Sequence, residues 1–168
     1  MKKMQDAIPD KATKGDASVP ERLHIINKTQ PHAVLATDAG GQPYTSLIAY
    51  ALIPDMKGLI FITPKSTRKY KNILKNRKVS LLIDTRSNTA RDYMGAESVT
   101  ILGNARPVKR SKKRSELAAL FIKKHSRLSG VIDSPETTLI MVEIIKCIHV
   151  TKFQSVSVWE IKRLSKKQ

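Results

Sequence analysis

The stretch GLIFITPKSTRKYKNILKNRK, Gly58 to Lys78, decides how this chain is read. It opens as a short apolar strand, Leu59 to Ile62. A Thr-Pro break follows, and then a helix that begins at Ser66 or Thr67. Tyr70, Ile73 and Leu74 fall at i, i+3 and i+4 and are expected to face a core, while Lys71, Asn72 and Lys75 face outward. Arg68 and Lys69 sit in the first helical turn, where the backbone already carries partial positive charge. Free N–H groups, hydroxyls and cations together suit a bound anion such as a phosphate. The competing reading is a plain solvated basic face.

Outward from this segment the chain alternates short elements. Residues 1–18 are polar and charged and are expected to form a flexible arm. Pro20 fits the first turn of a helix capped by Ser18, with Leu23 and Ile26 inward and His24 as a further candidate. That helix ends near Gln30-Pro31. Strands are expected at His32–Thr37, Pro43–Ile53 and Leu59–Thr63, the first two joined by a turn at Gly40-Gly41. After the helix at 66–76 come Val79–Asp84, an irregular insert over 86–96, and Ser98–Leu102, which can continue past Gly103. Ser111 caps a helix at 112–125, and Ser126–Pro135 reads as a loop. Thr138–Thr151 and Ser155–Ile161 close the series. Short connections between strands imply antiparallel pairing. The expected fold is mainly β, a barrel of six to seven mostly antiparallel strands with flanking helices, because closure removes exposed edges. One domain over 19–162 is expected, followed by a basic tail at 163–168.

The chain has 168 residues, with 31 Lys+Arg against 14 Asp+Glu, a net charge of +17. Such a field attracts polyanions and phosphorylated ligands without identifying one. The single cysteine, Cys147, lies in an apolar segment and reads as a buried thiol. The opening MKKMQDAIPDK lacks the apolar core of a signal peptide, and no apolar run approaches the ~18 residues of a membrane span. A cytoplasmic protein is expected. His24, His32, His125 and His149 are scattered and show no metal spacing. No nucleophile elbow or P-loop occurs, and no paired carboxylates stand at useful spacing. Without an acid/base set, the chain either binds without reacting or borrows its chemistry from a cofactor.

Three pieces in order carry a family resemblance: AVLATDAGGQPYTSLIAYAL from Ala33 to Leu52, LIFITPKSTRKYKNILKN from Leu59 to Asn76, and KVSLLID followed by ESVTILGNARPV. Together they resemble the FMN-binding split-barrel family related to pyridoxamine 5'-phosphate oxidase. The resemblance covers residues 20–110 and, by element order, the C-terminal third. It implies an FMN cofactor. Thr63, Thr67, Arg68 and Lys69 match the family's phosphate site. Ser46, Leu47 and Ile48 match the strand whose backbone lines the flavin ring, and Ile62 the residue beside the phosphate threonine. The family's flavin lies at a homodimer interface, which makes Ser98 and Trp159 candidates from the second subunit, with a plain core or interface anchor as the other reading of Trp159. The apolar strand Leu139–Ile145 is a candidate interface element or simply core.

The sequence departs from the oxidases where they have an arginine near Ser46 and an Arg-x-His motif in the C-terminal third; here that motif occurs only as Arg22-Leu23-His24. The expected function is therefore an FMN-binding flavoprotein, an oxidoreductase acting on an unidentified substrate or electron donor, and not a vitamin B6 oxidase. Relatives of the fold also use deazaflavin or haem. The alternatives are a haem-binding or haem-degrading barrel and a basic nucleic-acid-binding module built on Arg106, Lys109, Arg110, Lys112, Lys113 and Arg114. Aromatic residues are only 5% and are not interleaved with these cations, so nucleic acid is expected to bind only non-specifically.

Overall fold

Helix α1 (Val19–Thr29) begins where the sequence placed it. The Glu21 carboxylate accepts the Ser18 N–H at 2.7 Å and its hydroxyl at 2.9 Å, which holds the first turn. Leu23 and Ile26 are fully buried, whereas His24 faces solvent. The computed structural model describes residues 18–151 and 155–161. The expected arm, apart from Ser18, and the basic tail fall outside them.

Strands β1 (His32–Thr37), β2 (Tyr44–Ala49), β3 (Ala51–Leu52) and β4 (Gly58–Pro64) lead into helix α2 (Arg68–Lys75) and strand β5 (Lys78–Asp84). The short helix α3 (Asp92–Gly95), β6 (Ser98–Pro107) and helix α4 (Lys112–Lys124) follow. A 3₁₀ turn (Ser126–Leu128), helix α5 (Ser129–Ile132), β7 (Thr137–Thr151) and β8 (Ser155–Glu160) complete the chain. All pairings are antiparallel, in the order β2-β1-β5-β6-β7-β4-β3, with β8 also on β7.

The expected strand over 43–53 is thus two pieces separated at Tyr50. The break lets one run of chain pair with β1 through β2 and with β4 through β3. The two ends of the sheet are joined by this run, and the sheet curls into a partly closed barrel. Counted as runs there are seven strands. Strand β7 holds β6 along one edge and carries β4 and then β8 on the other.

Two apolar layers result. Leu35, Leu81, Ile101, Phe61 and Val142 fill the interior, joined by α1 through Leu23 and Ile26 and by α2 through Ile73. Outside the wall, Leu117 and Phe121 of α4 cover Ile60, Leu139 and Met141. Cys147 is fully buried, as expected, and burial pushes its thiol up to about 12. The Lys124 ammonium lies 3.8 Å from the Tyr50 ring centroid and donates to Asn27 Oδ1 (2.8 Å) and to the Gln30 carbonyl (3.1 Å). It thereby ties the end of α4 to the last turn of α1, although burial lowers its pKa to about 8.

Several local expectations are corrected. Leu74 is 57% exposed, while Asn72 is buried. The Asn72 amide is satisfied at the wall, where it donates to Thr37 Oγ1 at 3.1 Å. The expected loop at 126–135 holds two helical turns that bury Ile132 beneath α4. The insert over 86–96 contains α3, where the Asp92 carboxylate accepts the N–H groups of Ser87 and Thr89. Of the two readings given for Leu139–Ile145, core is the one seen within the chain, buried on both faces except at Ile145 and Glu143. No helix among the described residues is long and apolar enough to cross a membrane.

Strand β6 continues past Gly103 through a register shift between Leu102 and Gly103. A Cβ at Gly103 would stand 2.5 Å from the Glu143 carbonyl oxygen and 2.7 Å from Val142 Cγ1. Gly103→Ala is expected to lower stability by about 1–3 kcal/mol in urea denaturation. Gly95→Ala, where the new methyl meets open space, serves as the control. Equal midpoints for the two variants would overturn this account of the bulge.

Candidate functional site

Strand β4 alternates between the layers: Leu59, Phe61 and Thr63 point into the barrel, and Ile60 and Ile62 lie under α4. At its end Thr63 is 2% exposed. The chain then turns through Pro64, whose carbonyl accepts both the Thr67 N–H (3.2 Å) and the Thr67 hydroxyl (2.8 Å). With that proton committed, Thr67 Oγ1 accepts from Thr63 Oγ1 at 3.0 Å and from the Tyr70 N–H at 3.4 Å. Thr67 is the N-cap of α2, and the hydroxyl pair fixes where the helix starts.

The first turn of α2 has no acidic residue. The amides of Arg68 and Lys69 have no partner within the helix. No ion pair among the described residues engages either side chain. The Arg68 guanidinium instead lies 5.0 Å from the centroid of the Tyr44 ring. This stacks the start of α2 on β2. Deeper in the helix the Asn72 amide reaches Thr37, whose hydroxyl donates to the Tyr44 carbonyl at 3.4 Å. Asn72 is a positioning residue that sequence reading missed, because its polarity argued for solvent.

Strand β2 pairs with β1 on one edge, and its residues Tyr44–Ala49 have no ladder on the other among the described residues. The backbone polar groups of that edge are left without a strand partner, and Tyr44 at its start lies under Arg68. Ser46 Oγ is buried and has no hydrogen-bond partner, an orphan that a ligand could satisfy. Ile48 is buried on the same inward face, and Leu47, on the other face, is 68% exposed. The structure thus brings Thr63, Thr67, Arg68 and Lys69 into one turn, with Ser46 on the adjoining strand and Ile62 in the neighbouring layer.

Ser98 and Trp159 are not part of this group within one chain. Thr63 faces Thr138 across the sheet, while Ser98 faces Val150. That separation along β7 is about 40 Å at ~3.3 Å per residue. Trp159 lies opposite Cys147 and packs partly against the interior core. Beside Ser98, Glu97 accepts both Nε (3.0 Å) and Nη2 of Arg22 and the His149 Nε2–H at 2.8 Å. Burial raises the Glu97 pKa, but the hydrogen bonds and charges of Arg22 and His149 outweigh it, so the net shift is downward.

The outward face of the sheet carries a row in register, apolar but for Thr100: Leu47, Val34, Leu82, Thr100, Ile148 and Val158. None of these residues belongs to either buried cluster.

The chain matches the family model described as pyridoxamine 5'-phosphate oxidase over residues 20–150. No curated protein sequence matches it. It is similar in structure to a heme binding protein from Mycobacterium smegmatis, with a TM-score of 0.76 and 16% identity. That match covers 86% of this chain and 59% of the other, so this chain spans about three fifths of that protein. It is similar to HutZ, a heme storage protein from Vibrio cholerae (TM-score 0.66, 18% identity, 76% of this chain and 91% of that one). It is also similar to an FAD-binding protein from Mesorhizobium loti (TM-score 0.63, 16% identity, 79% and 94%). At these identities the likeness is one of fold.

The Glu97 cluster sets a pH dependence with a definite sign. A carboxylate whose folded pKa lies below its ordinary 4.5 stabilises the fold above that value and loses the contribution as pH falls through the folded pKa. Glu97→Gln is expected to cost about 1.5–3 kcal/mol at neutral pH, the scale of hydrogen bonds to a charged group. The gap to the native chain should shrink below about pH 4.5. Thermal melts from pH 7 to 3 measure it, and a gap independent of pH would contradict the assignment.

Proposed function

This chain belongs to the pyridoxamine 5'-phosphate oxidase family, and from that premise we propose that it is a flavoprotein holding FMN at the start of α2. The observation that carries the reading is the first turn of α2. It offers unpaired amides and two cations that no described carboxylate neutralises, on a start fixed by the Thr63–Thr67 pair. Arg68, Lys69 and the turn's amides would hold the monophosphate, with Thr63 and Thr67 positioning them. The unladdered edge of β2 at Ser46, Leu47 and Ile48 would lie along the ring, with the Ser46 hydroxyl available to it and Ile62 nearby. When bound, the flavin supplies hydride or electron transfer, which fits a chain lacking an evident acid/base set. The substrate and the reductant, a nicotinamide or another donor, are unidentified. Pyridoxamine 5'-phosphate is disfavoured as substrate, because the Arg-x-His motif is missing from the C-terminal third.

We further propose a homodimer with the flavin at the interface. Ser98 and Trp159, about 40 Å and about 30 Å along β7 from the α2 turn, would reach it only from a second copy. The outward apolar row from Leu47 to Val158 offers that copy a surface. A cytoplasmic location belongs to the same reading. Haem is the second reading, because two structural neighbours are described as heme-binding or heme-storing. The described histidines favour it less. His125 donates to the Tyr50 carbonyl and His149 to Glu97, which leaves the exposed His24 and His32.

The absorption spectrum of the purified protein separates flavin from haem. FMN is expected to bind once per chain and more tightly than riboflavin; equal affinity would remove the phosphate from the argument. Arg68→Ala should weaken FMN by about 1.5–3 kcal/mol, while Lys71→Ala, an equal change in net charge on an exposed side chain, should do far less. Matched losses would reduce the site to bulk electrostatics. Sedimentation should show a dimer, and a monomer at micromolar concentration with FMN bound would refute the interface.

A further inference from the structure

A polar cavity of about 540 Å³ opens between the N-terminus of α4 and the β4–α2 turn. Its walls include Lys65, Arg110, Ser111, Arg114, Asp133 and Thr137. Ser111 is the N-cap of α4, its hydroxyl accepting the Arg114 N–H at 3.3 Å, and the helix's first turn has no acidic residue. Lys65 Nζ donates to the Pro135 carbonyl at 2.6 Å, and Arg114 Nη2 donates to the Ile132 carbonyl at 3.2 Å. Both cations are therefore held in place by neutral acceptors, which orient their charge without cancelling it. Arg110 is exposed and makes no ion pair among the described residues.

The independent observation is Thr137. It is only 7% exposed, on the face of β7 that α4 covers, and it lines the cavity. Its hydroxyl makes no hydrogen bond to any described residue. The oxygen itself is not enclosed, so it opens on the cavity and can donate to a ligand there. Asp133 also lines the cavity, as one carboxylate against three cations.

We propose that this cavity is a separate anion site that takes the phosphate group of a phosphorylated small molecule. The helix N-terminus and the three cations supply the field, and the Thr137 hydroxyl donates to a phosphate oxygen. The volume admits a ligand of roughly nucleotide size. The site does not depend on Arg68 or Lys69 and stands apart from the FMN reading.

Isothermal titration with inorganic pyrophosphate, at fixed ionic strength and without divalent metal, tests it. The native chain is expected to bind one pyrophosphate here, distinct from any that the start of α2 takes. Arg110→Gln should weaken it by about tenfold or more, the scale of a lost charge-assisted contact. Thr137→Val, which keeps the side chain's shape, should weaken it by roughly three- to tenfold, as loss of one hydrogen bond does. Lys113→Gln, outside the cavity lining, and Arg68→Ala should leave it within about twofold. Absence of binding, or an equal loss in Lys113→Gln, would overturn the proposal. So would binding that is lost in Arg68→Ala and kept in Arg110→Gln, which would put the anion at α2. Pyrophosphate binding in a protein that takes no FMN would support this site while removing the other.

Discussion

An antiparallel sheet exposes unpaired N–H and C=O groups along its outer strands unless those strands meet. In this chain the meeting depends on one short interruption at Tyr50. The run before it pairs with β1 and the run after it with β4, so a single piece of chain belongs to both ends of the sheet. The fully buried Tyr50 ring sits at that crossing, under the Lys124 ammonium, with its carbonyl held by His125. Closure is incomplete, because among the described residues Tyr44–Ala49 pairs on one edge only. The split in the barrel and the candidate cofactor edge are thus the same piece of backbone. A fully zipped barrel would leave nothing there for a ligand to bind.

Much of this was legible because the signals were local. An apolar run, a Thr-Pro break and a period near 3.6 mark β4 and α2 within a few residues, and a capping serine followed by a first-turn proline marks α1. The family resemblance extended that local reading to a whole architecture. What the sequence hid depends on partners distant in the chain. The break at Tyr50 follows from which strands flank it, which no local pattern encodes. Asn72 looked solvent-facing because its buried partner, Thr37, sits on another strand. Thr137 and Lys65 gave no sign of sharing a cavity, since β4 and β7 are brought together only by the ladder. The helical turns at 126–135 lacked the apolar spacing that would have announced them.

Among the 31 Lys and Arg, two groups stand apart. Some cations meet carboxylates, as Arg22 meets Glu97 and Arg106 meets Glu143. Others are placed at helix starts, where the backbone opposes them: Arg68 and Lys69 on α2, and Lys112, Lys113 and Arg114 on α4. An arrangement that works against the local field at two separate helix starts is costly unless something negative arrives. That contrast, more than the total of +17, is what points to anionic ligands.

Cys147 carries a consequence of its own. The thiolate is the form that reacts with alkylating reagents and oxidants, and a thiol held near 12 supplies almost none of it at neutral pH. The sulfur is also fully enclosed by the barrel. It can therefore be labelled only when the strands around it separate. With no other cysteine to compete, the rate of that labelling is a clock for the opening of the strands around it, the edge strand β8 included.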